Sequence, residues 1–309
     1  MAILPNPSTL PSDVSDLPAT FYENVKYQGY SENVFDFYKP TGGLSVKPIA
    51  ILFFGGGFVG GDKSNWYDFE EQRAVLTALI NADIAVACPN YRLISTDNTE
   101  SLGIKKCMQD GINAVQRILF NSVELGIDPT KFALNGNSAG GSICMFLAGK
   151  SFALPTASNF KIQSTRPIAI SAYRPQTLDI PRWDRFFSTL TFQQILDASD
   201  ETRTRCYNFF GLTAPAVADA ADFEVKNTYN YARRMGMVRH SQPVGIELHL
   251  ENFDSFDDPT TFGALIHHPK YAQAYKDKWD AAGESCTFYT TDPPAESAVA
   301  FLIRILNAA

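Results

Sequence analysis

Residues 132–141 read Phe-Ala-Leu-Asn-Gly-Asn-Ser-Ala-Gly-Gly, and this segment is the strongest indication of the fold class. It contains the pattern Gly-x-Ser-x-Gly between an apolar strand pattern and the apolar helical run Ile143 to Ala148. A serine on so tight a turn has a strained backbone, and side chains beside it would clash with the strand and the helix. Gly136 and Gly140 remove those clashes, so Ser138 is the predicted nucleophile. An ordinary Gly/Ser turn is the alternative, because the bare pattern is weak.

A second glycine-rich segment lies upstream, where residues 51–61 read Ile-Leu-Phe-Phe-Gly-Gly-Gly-Phe-Val-Gly-Gly. Glycines after a buried strand allow main-chain N–H groups to turn toward one point, as an oxyanion hole requires. A phosphate-binding loop is the competing interpretation. The segment lacks the Gly-Lys-Ser/Thr ending of such a loop, and no Gly-x-Gly-x-x-Gly helix start follows it. Two glycine segments in this order are far more specific than either alone.

Strand and helix patterns alternate along most of the chain, which predicts an α/β protein with a mostly parallel central sheet flanked by helices. Strands are predicted at Val34–Tyr38, Ile49–Phe54, Ile84–Cys88, Lys131–Leu134, Pro167–Ala172, Val244–Leu250 and Thr287–Tyr289. Helical spacing is predicted over Phe69–Ile80, Ile104–Leu119, Ile143–Ala148 and Ala298–Leu306. Residues 1–20, rich in Pro and Ser, are predicted to form an extended arm on the domain.

A long interruption with many aromatic residues separates two of the predicted strands. We interpret residues 1–309 as a single domain with a helical cap inserted at about 174–242, over the carboxyl ends of the strands. Such a cap favours an apolar or aromatic ligand of modest size. The alternative is that its aromatic residues only form the core of the cap.

Composition excludes several classes of partner. The net charge is −7, from 33 acidic and 26 basic residues, and no basic stripe is present, which argues against nucleic acid. No window approaches the roughly 20 apolar residues of a membrane span, and the N-terminus has no secretory pattern. The five cysteines show no metal-ligand spacing. The sequence therefore predicts a cytoplasmic protein with free thiols, no metal, no cofactor and a small-molecule substrate.

Residues 34–150 resemble the hormone-sensitive-lipase and carboxylesterase branch of the α/β hydrolases, whose members carry HGGG before a GDSAGG elbow. Further matches are Asn90-Tyr91-Arg92-Leu93 and Glu124-Leu125-Gly126-Ile127-Asp128-Pro129. The resemblance implies the α/β-hydrolase fold, with Ser138 as the nucleophile of a carboxylic-ester hydrolase. It also implies an oxyanion hole formed by the main-chain N–H groups of Gly56, Gly57 and Ala139.

Two features depart from the pattern of this branch. Phe54 stands where the family has the histidine of HGGG, so the glycine loop must be held by packing. The second departure concerns the triad, which in this branch runs serine, then an acid after the penultimate strand, then histidine after the last strand. Asp254 is the candidate acid, with Asp257 and Asp258 as competitors and a solvated acidic loop as the alternative.

The triad histidine is absent after the last predicted strand, because no histidine follows His268. His267 and His268 follow the acid loop, so one of them is a candidate base, with a surface helix start as the alternative. His249 lies inside an apolar strand and is predicted to be a core residue, and His240 lies at the exit of the cap. A bound water, or no base at all, completes the alternatives.

Three hypotheses for function follow. The first is a serine-hydrolase-like enzyme that cleaves a small apolar or aromatic ester or acyl compound. The second is a repurposed enzyme that carries out cyclisation, elimination or isomerisation in secondary metabolism, because an oxyanion hole also stabilises enolates. The third is a non-catalytic small-molecule receptor. We expect an enzyme, because alanine at position 138 would relieve backbone strain if no nucleophile were needed.

Overall fold

The computed structural model describes residues 3–97, 99–148, 166–176, 187, 192–211, 245–257, 259 and 262–308. Its strands are β1 (Ala19–Lys26), β2 (Val34–Pro40), β3 (Lys47–Phe53), β4 (Ala85–Pro89), β5 (Ile127–Asn137), β6 (Ala169–Tyr173), β7 (Glu247–Glu251) and β8 (Cys286–Tyr289). Its helices are α1 (Asn65–Asp68), α2 (Glu70–Asn81), α3 (Ile104–Phe120), α4 (Ser122–Leu125), α5 (Ala139–Ala148), α6 (Phe192–Ala198), α7 (Asp200–Phe210), α8 (Phe262–Ile266), α9 (Pro269–Ala281) and α10 (Ala298–Ala308). A short 3₁₀ turn spans Ser12–Val14.

These strands form one eight-stranded sheet in the order β1-β2-β4-β3-β5-β6-β7-β8. The pairs β1–β2 and β2–β4 are antiparallel, and the remaining neighbours are parallel. The predicted fold class, a mostly parallel α/β sheet, is therefore confirmed. Strands β3 and β4 are buried along their whole length, because helices cover both faces of the sheet and leave no solvated face.

Sequence patterns missed one strand, β1. Its register against β2 shifts between Tyr22 and Val25, and Asn24 lies between them in the left-handed region at φ 55°. This irregularity breaks the alternation of buried and exposed residues that predicts a strand. The preceding arm lies on the domain as expected, since the Glu124 carboxylate accepts hydrogen bonds from the N–H groups of Ile3 and Leu4.

Part of the predicted cap belongs to the described residues. Helices α6 and α7 fall within it, and α7 packs against α3. The end of α7 approaches Gly103 so closely that a Cβ there would lie 2.2 Å from the Phe209 carbonyl oxygen. Most of the interval 174–242, including Trp183, Phe223 and His240, lies outside the described residues, so the cap stays a prediction. Within the described part of the chain, no helix is long and apolar enough to cross a bilayer.

The parallel strands bring the ends of four elements to one edge of the sheet. Phe53 pairs with Gly136, Asn137 pairs with Tyr173, and Tyr173 pairs with Glu251. The loops that leave β3, β5, β6 and β7 therefore start side by side. Ligand sites in open α/β sheets lie at this carboxyl edge.

Candidate active site

Ser138 occupies the junction between β5 and α5 with φ 50°, a left-handed conformation that is uncommon for a residue with a side chain. A Cβ on Gly136 would lie 2.4 Å from the carbonyl carbon of Gly140. One on Gly140 would lie 2.0 Å from the carbonyl oxygen of Phe53. Both glycines are thus required by close backbone approach, as the sequence pattern predicts. The N–H of Ser138 donates to the Tyr173 carbonyl at 2.8 Å, which ties the turn to β6.

The glycine loop packs directly against this turn. A Cβ on Gly55 would lie 3.0 Å from Oδ1 of Asn137, the residue before Ser138. Gly56 and Gly57 have φ values of 120° and 63°, which allow their main chain to turn where other residues would be strained. Among the described residues, the N–H groups of Gly56, Gly57 and Ala139 donate no hydrogen bond. An oxyanion hole needs main-chain donors of this kind, and the predicted hole at these three residues stays a prediction.

Phe54 stands where the family has the histidine of HGGG, and it contacts Tyr91 through packing and through its main chain. Its ring is buried and stacks on Tyr91, with ring centroids 4.4 Å apart and planes 9° apart. The Tyr91 hydroxyl also donates to the Phe54 carbonyl oxygen at 3.0 Å. Tyr91 belongs to the Asn90–Leu93 motif, so this motif contacts Phe54, the residue directly before the glycine loop.

Of the two adjacent histidines that the sequence offers as candidate bases, His267 is the one that contacts Ser138. Its Nε2 lies 2.8 Å from Ser138 Oγ. The residue directly follows α8, and its other ring nitrogen, Nδ1, lies 3.0 Å from the Gly263 carbonyl oxygen in that helix. The Asn252 side chain donates to the His267 carbonyl at 2.6 Å, which fixes the backbone of the histidine to the end of β7.

This geometry determines the tautomer of His267. A carbonyl oxygen can only accept, so Nδ1 carries the proton that it donates to Gly263. In the neutral ring, Nε2 then presents its lone pair to the Ser138 hydroxyl. That is the arrangement in which an imidazole can take the proton of a serine.

The histidines His268 and His249 do not contact Ser138 and instead take part in the packing of the fold. His268 is 2% exposed and caps α9, where its Nδ1 accepts from the Lys270 N–H at 3.2 Å. His249 is buried in β7 with its Nε2 2.7 Å from a Glu251 carboxylate oxygen, in the core environment that its apolar strand predicts. The two adjacent histidines thus differ in their contacts, since His267 contacts the predicted nucleophile and His268 caps a helix.

Asp254 lies in the loop after β7, but its carboxylate contacts Arg174 instead of His267. Arg174 Nε and Nη2 lie 2.9 and 2.7 Å from Asp254 Oδ2. The imidazole nitrogen that a triad acid would bind is occupied by the Gly263 carbonyl. The competitor Asp257 is exposed and accepts from Ser255, while Asp258 lies outside the described residues. A triad-acid role for Asp254 remains a prediction that no hydrogen bond among the described residues supports.

Burial is the largest influence on the pKa of His267 and lowers it below the ordinary histidine value. The hydrogen bond with Gly263 raises this pKa, the charge of Arg174 lowers it, and the charge of Asp254 raises it. The net shift is downward, so the imidazole is neutral at neutral pH and able to accept a proton.

Gln176 is a site residue that sequence reasoning missed. Its Nε2 lies 3.3 Å from His267 Nε2, and its carbonyl oxygen accepts from the Ser142 hydroxyl at 2.7 Å. No motif identifies this glutamine, although its place three residues after β6 puts it at the carboxyl edge of the sheet.

Among the described residues, no group of three or more His, Cys, Asp or Glu side chains could hold a metal ion.

Comparisons with known proteins agree with this architecture. The BD-FAE family model matches residues 35–172. An AB hydrolase superfamily protein of Schizosaccharomyces pombe is 33% identical over 116 residues, which cover 38% of this chain and 30% of that protein. A probable isoprenylcysteine alpha-carbonyl methylesterase of Arabidopsis thaliana is 28% identical over 120 residues, covering 39% of this chain and 26% of that protein. The matched segment thus spans under a third of the length of these relatives.

Among solved structures, a truncated carbohydrate esterase from gut microbiota superposes with a TM-score of 0.62. The two chains are 16% identical, and the superposition covers 91% of this chain and 89% of the other. The fold is therefore that of the α/β hydrolases. Part of the chain is similar in sequence to proteins described as AB hydrolases and esterases.

Proposed function

We propose that this protein is a serine hydrolase that cleaves carboxylic esters of small molecules. The observation that carries the proposal is the 2.8 Å separation between Ser138 Oγ and His267 Nε2, at the edge of the sheet where the glycine loop begins. The resemblance to proteins named as esterases supports the same reaction class.

The geometry supports the following sequence of steps. His267 Nε2 takes the Ser138 hydroxyl proton as Oγ attacks the ester carbonyl carbon, and the N–H groups of Gly56, Gly57 and Ala139 receive the oxyanion. The C–O bond to the alcohol breaks as Nε2–H returns the proton to the leaving oxygen. Water, deprotonated by the same nitrogen, then hydrolyses the acyl-serine and restores Ser138.

In this scheme the Gly263 carbonyl does the orienting work that a triad carboxylate usually performs. It holds Nδ1–H and so fixes the tautomer and the ring plane of His267. A neutral carbonyl stabilises the imidazolium less than a carboxylate does, because it carries only a partial charge. Slower turnover than that of a complete triad is therefore expected.

A non-hydrolytic reaction is the second candidate, and the placement of Asp254 favours it. Asp254 is paired with Arg174 and does not contact His267. Without a carboxylate partner, His267 can remove a single proton from a substrate as readily as it can serve a two-step acyl transfer. The same three N–H groups would stabilise an enolate. A purely binding role remains the third candidate.

Labelling of Ser138 by a fluorophosphonate, read by mass spectrometry, tests the proposal. The wild-type protein should be labelled within minutes and should cleave 4-nitrophenyl esters, and Ser138→Ala should lose both. The exposed Ser255→Ala variant is the matched control and should keep both. Slow or absent labelling of the wild type would favour the binding role, and turnover that survives Ser138→Ala would favour non-hydrolytic chemistry.

A further inference from the structure

Arg174 is the cationic side chain that the proposed reaction leaves without a role. It follows β6 with φ 46°, a left-handed conformation that is strained for a residue with a Cβ. Its N–H donates to the Glu251 carbonyl at 2.8 Å, so its backbone bridges the ends of β6 and β7. Strain of this kind at the carboxyl edge of the sheet points to a functional constraint on where the side chain lies.

Arg174 lies at the same edge of the sheet as the proposed nucleophile and base. The residue before it, Tyr173, accepts the hydrogen bond from the Ser138 N–H. The charge of Arg174 also acts on the His267 imidazole, which places the guanidinium within electrostatic reach of the ring. The Arg174 side chain is 35% exposed and that of Asp254 is 31% exposed, so the pair faces open space.

In the part of the chain that the structure describes, two of the five donors of this guanidinium have no acceptor. Arginine has five N–H donors, and both bonds to Asp254 end on the single oxygen Oδ2. A hydrogen bond with the Tyr173 side chain accounts for one more donor. Within the described residues, the remaining N–H groups have no acceptor, and Nη1 forms no ion pair there. Asp254 therefore holds the edge of the fork formed by Nε and Nη2, and the donors that have no acceptor among the described residues could bind a ligand.

We propose that Arg174 is a specificity residue that binds a carboxylate of the substrate, so that the preferred esters carry an acidic group. This inference rests on the proposed ester hydrolysis and names its substrate class. An arginine fork matches a carboxylate with two parallel hydrogen bonds. The protein carries a net charge of −7, so an anionic substrate needs a local cation beside the nucleophile. Asp254 then orients the guanidinium.

Two matched pairs of esters test this proposal. In the first pair, 4-nitrophenyl hexanoate and the 4-nitrophenyl half-ester of adipic acid differ only in a terminal methyl group against a carboxylate. In the second, 4-methylphenyl butyrate and 4-carboxyphenyl butyrate place the same difference on the alcohol side. The readout is the ratio of kcat/KM for the acidic ester to that for the neutral ester, so that any change common to both substrates cancels.

The wild-type ratio should exceed unity in at least one pair, and Arg174→Gln should reduce that ratio roughly tenfold to a hundredfold, as loss of a charged hydrogen-bond pair implies. Arg174→Lys should keep part of it. Arg304→Gln, which removes an exposed arginine paired with Glu296, is the charge-matched control and should leave the ratio unchanged. A wild-type preference for the neutral ester in both pairs, or an unchanged ratio in Arg174→Gln, would overturn the proposal.

Binding measurements separate this inference from the proposed hydrolysis. If no ester is cleaved and Ser138 is not labelled, the hydrolase proposal fails, and calorimetry still tests Arg174. N-methylhexanamide and the N-methyl monoamide of adipic acid are stable analogues of the first pair, and 4-methylacetophenone and 4-acetylbenzoate serve for the second. Tighter binding of an acidic analogue that is lost in Arg174→Gln supports the subsite, and equal binding in both proteins rejects it.

Discussion

Ser138 Oγ lies 2.8 Å from Nε2 of His267, although 129 positions separate the two residues along the chain. Parallel pairing from β5 through β6 to β7 brings them together, because each strand delivers its following loop to the same edge of the sheet. The histidine comes from the connection between β7 and β8, while the family pattern places it after the last strand. The proposed base therefore has a different position in the sequence from the family's histidine, but it still contacts the nucleophile.

His267 and His268 should respond very differently to substitution. We expect His267→Ala to lower kcat/KM for a 4-nitrophenyl ester by about 10²–10⁴, because general-base help to Ser138 is lost. His268→Ala removes the cap of α9 and should cost about 1 kcal/mol or more of unfolding free energy. Urea unfolding and steady-state kinetics distinguish the two effects. Full esterase activity in His267→Ala would exclude it as the base.

The pH dependence of esterase activity should report the pKa of His267. Only the neutral imidazole accepts a proton, so activity should rise with pH, with a midpoint below about 6.5 because burial lowers this pKa. Arg174→Gln removes a positive charge that disfavours the imidazolium, so the midpoint should move up. Asp254→Asn removes a negative charge that favours it, so the midpoint should move down. Identical profiles in all three proteins would contradict the assigned base.

The close approach at Gly140 should make even a methyl group intolerable. A Cβ there would lie 2.0 Å from the Phe53 carbonyl oxygen, which is backbone and cannot move aside. We expect Gly140→Ala to lower the free energy of unfolding by about 1–3 kcal/mol, the range that overpacking typically costs. At Gly29 a Cβ meets no atom within 4 Å, so Gly29→Ala is the control and should stay within about 0.5 kcal/mol of wild type.

Phe54 should contribute to both stability and activity. Truncation to alanine removes a buried ring that stacks on Tyr91, which should cost about 3–5 kcal/mol of unfolding free energy. Because the glycine loop begins at the next residue, fluorophosphonate labelling of Ser138 should also slow. Phe69→Ala, at a ring that is 55% exposed, is the control for both measurements. Unchanged labelling in a folded Phe54→Ala protein would show that other contacts hold the loop.

Local sequence patterns predict much of the fold and the turn that carries Ser138. The apolar runs that became β3 and β4 are buried on both faces, so their composition alone indicates parallel strands. The turn at Ser138 was equally readable, because Gly136 and Gly140 are forced by contacts within a few residues of the serine or in the adjacent strand. Strand β1 was missed because its irregular register near Asn24 has no periodic signature.

Long-range partners could not be read in this way. The position of Asp254 after a strand predicts a triad acid, yet the structure pairs its carboxylate with Arg174, which follows the neighbouring strand β6. Gln176 has no motif, and its contact with His267 depends on how two loops pack. Nothing in the residue types of the adjacent pair 267–268 says which ring turns to the serine and which caps a helix.

Residue types alone predict the α/β class, the strand-to-helix turn at Ser138 and the glycine loop, because each depends on short-range sterics and burial. The contact of His267 with Ser138 and the ion pair of Arg174 with Asp254 become visible only in three dimensions. Those partners come from separate strand ends, and their meeting depends on sheet order and loop packing, which local composition does not specify.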